Sequence, residues 1–570
     1  MKTETKFATG RTGWGSLWLV LILGTGFSLF VYFYLIKPQG PFCWDEAHHS
    51  TSSILIAKSL LEHDWKAFRH FTNIQIYWPF LHSWVSAIFL IVGGFSYSAA
   101  RFTNLVIGFF SILLIYQTGR KLSSRNGSRI GLIAAILMSS SPMFLFYSST
   151  AMIENLGLFL TLILIRSQFT ALKKEKGRYY FISGLVLGLL FLTKYIYAVF
   201  FGVSLFFFYI SLLLFSPQTI KPKKLWGRIG MMLIGFFLIW GIWMAVPPSA
   251  PKFDVLLYRI KDTGGWNPSD YSKLENRVFY LRSLLYAYTF SLGIYLLYLG
   301  GIIFSFICIK QTKVRLLLMV FLSSFITMSM IVNSQDRFIY VSTPALYLLT
   351  AVFINRLITG FTSHWKWLFW GLIGLIIMGD VPKLPAYIRQ VGNAAMGACP
   401  FKIKNQFDYS TFFGLSSYPG FLRHPYPYFN PRAPRELAHH NSEDIINFIW
   451  KHTDPRGPIC IPFYIGTLSP HLWHWHSLVN KRPLTTSWNP NCYYFVSLKV
   501  APDSPYYTFG NKHLIEGRTD DWSKFLSELE QHNLIRISSR SNFPDIGMEI
   551  IIYAKTMPVV KSSWEKYHFP

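Results

Sequence analysis

Residues Gly15–Ile36, GSLWLVLILGTGFSLFVYFYLI, form an uncharged apolar run that is long enough to cross the hydrocarbon core of a bilayer. Three cations, Lys2, Lys6 and Arg11, precede the run, and no small-residue cleavage site follows it. A secretory signal peptide has a shorter apolar core and ends at such a site. We therefore expect a retained signal-anchor helix with its N-terminus in the cytoplasm.

The composition of the whole chain is also that of a membrane protein. Of its 570 residues, 51% are hydrophobic and 18% aromatic, and only 14% are charged, whereas a soluble chain of this length would carry more charge. Apolar runs of spanning length recur up to about residue 379 and then stop. We therefore predict a transmembrane module over residues 1–379 and a separate polar region over residues 380–570.

The basic loops decide the number of spans. The further candidate spans are Phe102–Ile115, Ile130–Phe146, Asn155–Ile165, Tyr180–Leu192, Ile196–Leu214, Ile229–Val246, Ser283–Ile307, Leu316–Val332, Phe338–Leu357 and Trp367–Met378. Counting the short run Phe80–Gly93 as another span would place three basic loops outside, against the positive-inside bias. We interpret this run as a re-entrant or interfacial helix in an outer loop of about residues 37–100. The prediction is then a polytopic α-helical membrane protein with about eleven transmembrane helices.

With this topology, the ionisable residues that interrupt apolar sequence gather on the outer side of the membrane. Asp45 and Glu46 follow the first span, and Glu154 lies between two spans. Lys194 and Arg337 stand at the ends of other spans. Charged groups at a bilayer boundary are costly, so they favour a chemical role over a packing role. Carboxylates and cations that open to lipid suit an anionic, lipid-borne substrate.

The order of these motifs resembles the membrane glycosyltransferases of the GT-C class, especially the protein O-mannosyltransferase and lipid A aminoarabinose transferase superfamily. The matching segments are Asp45-Glu46 in the first outer loop, Tyr77-Trp-Pro79 before an apolar helix, Arg101 at the second span, Glu154 after the third span, Thr193-Lys194, and Arg337-Phe338 followed by Pro344. The resemblance covers about residues 15–380, and the order of the motifs is more specific than any one of them. The chain departs from the family at Gln75-Ile76, where a basic residue is common, and at Glu154, where Asp is usual.

The resemblance implies an inverting glycosyltransferase that moves a sugar from a polyprenyl-phosphate-linked donor to an acceptor hydroxyl on the extracytoplasmic side. Transfer needs a base for the acceptor proton and cations for the leaving phosphate. Asp45 is the expected general base, and Glu46 and Glu154 are expected to orient the acceptor or a metal ion. Lys194 and Arg337 are the expected binders of the donor phosphate.

Each of these residues also has a purely structural explanation. Asp45 could act only as the N-cap of the helix that follows it. Glu154 could simply begin a span. Lys194 and Arg337 could be interfacial anchors at helix ends. Arg101, a third phosphate-binding candidate, is better explained as an anchor or as the partner of an outer-loop carboxylate.

These motifs require no certain cofactor, but a divalent metal ion is one alternative for the outer site. Its weak candidate ligands are His48 and Glu154, whose imidazole and carboxylate donors suit zinc or manganese. His48 and His49 are neighbours on a predicted helix and point about 100° apart, so we do not expect both to bind one ion. We expect ordinary outer-loop histidines.

The polar region 380–570 has the alternation of helices and strands that is typical of a mixed α/β domain. A capped amphipathic helix is predicted over residues 441–452 and a strand over 458–464. A second helix is predicted over 521–530, with strands over 534–537 and 548–553. We expect this domain to be extracytoplasmic.

The aromatic and cysteine residues of this region carry two further expectations. The tract His471-Leu-Trp-His474-Trp-His476 could bind a metal, but we favour an aromatic surface beside the membrane. Cys399, Cys460 and Cys492 allow one disulfide in an oxidising compartment, and their spacing does not choose the pair.

The net charge and the spans together limit the functional class. Much of the excess of +27 lies in short loops predicted to be cytoplasmic, so we expect contact with the lipid bilayer and no nucleic acid. The sequence leaves the acceptor open among a protein, a glycolipid and a cell-wall glycan. The alternative function is a multi-pass transporter or flippase of a lipid-linked or anionic sugar, although transporters place their charges near the bilayer midplane. We expect the protein in the inner (cytoplasmic) membrane.

Overall fold

A computed structural model describes residues 12–37, 42, 44–76, 78–215, 222–246, 252, 254, 279–286, 288–289, 292–329, 336–360, 440–455, 457–461, 470–482, 484–485, 492–500, 534–543 and 548–555. They divide into two compact units. Residues 12–37 and 55–360 belong to the first unit, and residues 42–54 and 440–555 belong to the second. The predicted boundary between residues 379 and 380 lies outside the described residues and stays a prediction.

The chain up to residue 360 is helical wherever the structure describes regular elements. In order, the helices are α1 (Thr12–Phe30), continued by the π-helical Val31–Ile36, α2 (Trp44–Leu61), α3 (Trp65–Asn73), α4 (Leu81–Gly93), α5 (Tyr97–Arg120), α6 (Gly127–Ser139), α7 (Pro142–Ser148), α8 (Glu154–Lys174), α9 (Gly177–Thr193), α10 (Tyr195–Phe215), α11 (Pro222–Ala245), α12 (Phe279–Tyr286), α13 (Leu292–Ile307), α14 (Thr312–Ser329), the 3-10 helix Asp336–Ser342, and α15 (Thr343–Gly360). Within the described ranges, seven helices are long and apolar enough to cross a membrane, and the bent pair of α6 and α7 would add an eighth. The chain is therefore a multi-pass membrane protein, as its composition predicts.

Two predicted spans differ from the observed helices. The run Ile130–Phe146 is bent by 70° between α6 and α7, because Pro142 opens α7 and has no N–H to continue the helical hydrogen bonds. The run Ser283–Ile307 is divided between α12 and α13, and an apolar composition does not distinguish a break from a continuous helix. The candidate Trp367–Met378 lies outside the described residues, so the total of about eleven spans stays a prediction.

The predicted outer loop of about residues 37–100 contains α2, α3 and α4. Asp64 caps α3 by accepting a hydrogen bond from the Ala67 N–H at 2.9 Å, which satisfies a donor that the first helical turn leaves open. The short apolar run at Phe80–Gly93 forms α4. Its re-entrant or interfacial placement stays a prediction.

Small residues let neighbouring helices of the first unit approach closely. A Cβ on Gly119 of α5 would lie 2.5 Å from the Cα of Gly131 on α6. A Cβ on Gly184 of α9 would overlap the carbonyl oxygen of Met232 on α11. Close backbone contact of this kind suits membrane helices, since lipid tails leave no hydrophobic driving force between them.

Besides the start of α2, the described part of the second unit contains a five-stranded mixed sheet and two helices. Its elements after residue 440 are α16 (His440–His452), β1 (Ile459–Cys460), α17 (Pro470–Asn480), β2 (Leu484–Thr485), β3 (Tyr494–Val500), β4 (Leu534–Phe543) and β5 (Met548–Lys555). The strand order is β2-β1-β3-β5-β4; β1 is parallel to β2 and β3, and β5 is antiparallel to β3 and β4. The mixed α/β prediction is confirmed, and the predicted helix over 521–530 lies outside the described residues.

The core of this sheet domain corrects one prediction. Trp473 of α17 is only 1% exposed and belongs to an apolar cluster with Ile449 of α16, Val496 of β3 and Ile552 of β5. The aromatic tract after residue 470 therefore packs into the domain at this residue and is not simply a surface beside the membrane. The sequence did not distinguish a buried helical face from a membrane-facing surface, because tryptophan is common both at membrane interfaces and in cores.

A disulfide joins Cys460 to Cys492, with the two Cα atoms 5.8 Å apart. Cys460 ends β1 and Cys492 precedes β3, which are neighbouring strands of the sheet. The structure thus selects one pair from the cysteines that the sequence left open.

We expect the double variant Cys460→Ser/Cys492→Ser to lower the free energy of unfolding of the second unit by about 3–4 kcal/mol. The bond spans a sequence separation of 32 and so restricts the unfolded chain. Thermal unfolding of the purified full chain in detergent, with and without reductant, measures the change. The control is Cys308→Ser, which removes a free cysteine of the first unit and should leave the transition in place. An unchanged midpoint in the double variant would contradict the prediction.

The half-buried His476 on α17 predicts a pH dependence of stability. Burial lowers the pKa of this imidazole from 6.5 to about 4. The unfolded chain then binds the proton more readily, so the contribution to stability is complete above pH 6.5 and is lost as the pH falls towards 4. We expect a loss of about 1 kcal/mol per pH unit across this range, measured by urea unfolding of the full chain in detergent. His476→Gln should flatten the slope, and an identical slope in the variant would disprove the assignment.

Candidate functional site

Glu154 is the first residue of α8, and its side chain is buried. A carboxylate in the first helical turn is favoured by the positive end of the helix dipole. Its Oε1 lies 3.2 Å from Lys194 Nζ and 3.9 Å from Arg337 Nη1. The structure therefore brings together three residues that the sequence predicted for the site.

Lys194 occupies the junction between α9 and α10. Its backbone is extended, with φ −161° and ψ 121°, and its N–H donates to Leu190 O at 3.0 Å to close α9. Three aromatic rings surround the ammonium group: Nζ lies 4.8 Å from the ring centre of Trp78, 5.4 Å from Tyr197 and 5.5 Å from Phe338. The negative ring faces favour the charged ammonium and offset part of its loss of hydration.

Arg337 lies in the 3-10 helix Asp336–Ser342, and its side chain is 11% exposed. A 3-10 helix is a short, tight connector, so it can aim a side chain from the end of a span. We find two cations against one carboxylate in this cluster. The Glu154–Lys194–Arg337 cluster thus places two cationic donors beside one buried carboxylate.

Two buried oxygens at this cluster have no hydrogen-bond partner among the described residues. They are Glu154 Oε2 and the Tyr197 hydroxyl. Buried polar atoms without partners are costly, so their presence here marks a place where a ligand or water would bind. The described residues alone do not satisfy the cluster.

A network of asparagines holds the loop that leads into α8. Asn104 Nδ2 donates to the carbonyl oxygens of Thr150 and Met152, at 2.6 and 2.5 Å. Asn155 Nδ2 donates to Asn104 O at 3.0 Å, and its Oδ1 accepts from the Tyr340 hydroxyl at 2.5 Å. The network fixes the backbone on both sides of the acidic residue. These asparagines were not among the residues predicted from the sequence, although polar residues within apolar runs are a usable signal.

Asp45 and Glu46 lie in the first turn of α2 and belong to the second unit. Glu46 is 2% exposed, and Asp45 is half-buried. The helix begins at Trp44, so Asp45 lies inside it and not at the N-cap position considered above. Burial lowers the pKa of the neighbouring His48, and the charge of Asp45 opposes the shift.

An aromatic contact within the second unit fixes the start of α2. Phe42 is fully buried, and its ring meets that of Trp475 on α17 edge-to-face, with centres 4.7 Å apart. Such pairs are worth about 1 kcal/mol beyond the burial of their area. The contact holds the start of α2 against the sheet domain.

Arg101 is fully buried on α5, with its guanidinium carbon 5.9 Å from the ring centre of Tyr97. It is not an ion-pair partner of Glu154, whose described partners are Lys194 and Arg337. Its assignment as a phosphate-binding residue stays a prediction. The same is true of a metal at His48 and Glu154; among the described residues, no three His, Cys, Asp or Glu side chains form a group that could hold an ion.

Gly157 keeps the aromatic wall of the site close to α8. An added Cβ would lie 2.5 Å from Tyr197 Cε2 and 3.0 Å from Val341 Cγ1. We expect Gly157→Ala to lower the free energy of unfolding by about 1–3 kcal/mol, because the ring must move. Gly202→Ala is the matched control on α10, since no atom lies within 4 Å of its added Cβ. Thermal unfolding in detergent compares them, and equal midpoints would count against the packing argument.

The comparisons with known proteins agree with this fold. Residues 78–243 match the family model described as dolichyl-phosphate-mannose-protein mannosyltransferase. That stretch includes Trp78, Arg101, Glu154 and Lys194. No curated protein sequence matches the chain significantly.

Solved structures match over almost the whole chain. ArnT from Cupriavidus metallidurans bound to undecaprenyl phosphate has a TM-score of 0.56 and 12% identity, covering 97% of this chain and 100% of that chain. The apo state of the same protein has a TM-score of 0.55 and 12% identity, with coverages of 95% and 98%. The Archaeoglobus fulgidus oligosaccharyltransferase tethered with an acceptor peptide has a TM-score of 0.51 and 14% identity, with coverages of 97% and 75%. The fold class is that of the GT-C membrane glycosyltransferases, which confirms the resemblance drawn from the motifs.

Proposed function

We propose that this multi-pass membrane protein is an inverting glycosyltransferase that uses a polyprenyl-phosphate-linked sugar as donor. The observation that carries the proposal is the buried cluster of Lys194 and Arg337 on Glu154. A donor phosphate would contact these two cations. Fixed cations beside a leaving phosphate stabilise the negative charge that develops during transfer.

The proposed reaction is a single displacement at the anomeric carbon of the sugar. The acceptor hydroxyl gives its proton to the Asp45 carboxylate while its oxygen forms the new bond to the anomeric carbon. The bond from that carbon to the phosphate oxygen breaks on the opposite side, and the phosphate keeps the electron pair. The anomeric configuration is therefore inverted, through an oxocarbenium-like state. Glu46 and Glu154 would orient the acceptor.

The lowered pKa of His48 supports the choice of Asp45 as base. Burial favours the neutral imidazole, so at neutral pH this neighbour does not neutralise the carboxylate. Asp45 is also only half-buried, which leaves room for an acceptor to reach it.

The disulfide supports an extracytoplasmic location for the second unit. Disulfides persist in oxidising compartments and are rare in the cytosol. Cys460–Cys492 and the start of α2 belong to the same unit, so the acidic pair would share that compartment. The proposed site then faces the outer side of the inner membrane, or the lumen in a eukaryote.

The structural neighbours support a lipid phosphate as part of the donor. The ArnT structure holds undecaprenyl phosphate, and its chain shares this fold from end to end. The match to a mannosyltransferase family model makes a hexose or pentose on such a carrier our proposed donor. The acceptor would be a hydroxyl of a protein, a glycolipid or a cell-wall glycan.

A panel of polyprenyl-phosphate sugars tests the proposed function. The purified chain in detergent or nanodiscs is incubated with each donor, and released polyprenyl phosphate is measured. We expect release from at least one donor, increased by an added acceptor. If every donor stays intact while the protein moves a fluorescent lipid-linked sugar across a vesicle membrane, the protein is a flippase and the proposal is wrong.

A further inference from the structure

A second polar region lies at the far end of α8 from Glu154. Arg166, Thr170 and Lys173 follow one another at helical spacing, which places them on one face of that helix. At about 1.5 Å per residue, Lys173 is roughly 28 Å along the helix from Glu154. This end of the first unit is therefore separate from the proposed transfer site.

Two other helices bring lysines to the same place. Lys121 follows the end of α5, and its Nζ donates to the Thr170 hydroxyl at 2.7 Å. Lys313 in the first turn of α14 donates to the carbonyl oxygen of Lys121, and its Nζ is 5.9 Å from the ring centre of Phe169. Three helix ends that are distant in sequence thus converge on one group of cations.

We define the basic cluster as Arg120, Lys121, Arg166, Lys173 and Lys313. None of these cations forms an ion pair with a carboxylate that the structure describes. Glu175, the acidic residue directly after α8, instead contacts Arg228 at 2.8 Å. The positive charge of the basic cluster is therefore not balanced by the described part of the protein.

The surroundings of two members show how close the charges are. Burial lowers the pKa of Lys121, and the charges of Arg166, Lys313 and Lys173 lower it further. Arg166 Nη1 is buried and has no hydrogen-bond partner among the described residues. A buried guanidinium N–H without an acceptor is costly, and an anion with several oxygens would relieve both this cost and the repulsion.

We propose that the basic cluster is a binding site for a phosphate-bearing anion, either the headgroup of an anionic lipid or a soluble phosphate. Phosphate oxygens can accept from guanidinium and ammonium groups at once, which suits donors arriving from three helices. The predicted topology places this end at the cytoplasmic surface, where anionic lipids are concentrated. Lys121, Arg166 and Lys313 are half-buried, whereas Arg120 and Lys173 are exposed at the rim.

The test compares two triple variants of the full chain. One removes three charges from the basic cluster: Lys121→Gln, Arg166→Gln and Lys313→Gln. The matched control removes three exposed charges outside it: Arg125→Gln, Arg129→Gln and Lys176→Gln. Each protein is purified from mixed phosphatidylglycerol and phosphatidylcholine, and native mass spectrometry counts the retained lipids. A parallel arm titrates inorganic phosphate and pyrophosphate while thermal unfolding is recorded.

A specific site predicts that wild type and control retain phosphatidylglycerol, whereas the cluster variant binds it about 100-fold more weakly, at about fivefold per charge. If inorganic phosphate or pyrophosphate stabilises wild type and control but not the cluster variant, the site is confirmed with a soluble ligand. Equal loss in both triple variants, or no preference for phosphate in any protein, overturns the proposal. If the cluster variant does not fold, Arg120→Gln/Lys173→Gln at the exposed rim replaces it, with an expected weakening of about 25-fold.

Discussion

Replacing Asp45 by Asn should reduce the rate of sugar transfer by about 10²- to 10⁴-fold, the range expected when a general base is removed. Asparagine has nearly the same shape as aspartate but does not take up the proton of the acceptor hydroxyl. Asp45 is half-buried in the first turn of α2, so the substitution should leave the helix in place. The measurement is release of polyprenyl phosphate under saturating donor and acceptor.

The division between kcat and KM identifies the role of Asp45. We expect kcat to fall while the KM for the donor changes little, because the base acts on the acceptor in the transition state. Glu62→Gln removes an exposed carboxylate just beyond α2 and should be as active as wild type. Undiminished transfer by the Asp45→Asn protein would exclude this residue as the base. Loss through KM alone would make it a substrate-binding residue.

Replacing Lys194 by Met should nearly abolish transfer and also destabilise the first unit. The variant would remove the 3.2 Å partner of Glu154 and leave the buried carboxylate with Arg337 at 3.9 Å. Removing one partner of a buried ion pair costs about 3–5 kcal/mol. We therefore expect a lower unfolding midpoint in detergent and a loss of binding to the donor phosphate.

A second substitution separates these two effects. Glu154→Gln in the same chain removes the carboxylate that has lost its 3.2 Å partner, so the double variant Glu154→Gln/Lys194→Met should regain part of the lost stability. Transfer should stay lost, because Lys194, one of the two proposed cations for the phosphate, is still absent. If activity returned together with stability, Lys194 would be a structural partner of Glu154 and nothing more.

The sequence predicts the membrane class and the candidate site residues. It does not predict which of these residues contact one another. Glu154, Lys194 and Arg337 were recognised because charges are rare at the ends of apolar runs. Their distance from one another depends on how α8, α9 and the 3-10 helix pack, which a single sequence does not encode locally. Sequence therefore predicts phosphate binding for the two cations, whereas the structure shows that both also contact one carboxylate.

The boundaries and breaks of helices were harder to predict for physical reasons. Pro142 marks the bend between α6 and α7, yet the apolar residues on both sides suggested one span. The gap between α12 and α13 carries no such signal. In the sheet domain, β3 pairs with strands on both of its sides, and only these distant partners define it as central. Long-range pairing of this kind overrides local propensity.

The contact between Phe42 and Trp475 has a consequence for protein engineering. It joins two pieces of chain that are more than four hundred residues apart in sequence into one structural module. A chimera in which only the region after residue 380 is exchanged would lose the contact of Phe42 with Trp475. The start of α2, which carries Asp45 and Glu46, would then lack its native packing partner. A transplant of the sheet domain should therefore include residues 39–54, so that Asp45 and Glu46 are moved together with the domain against which they pack.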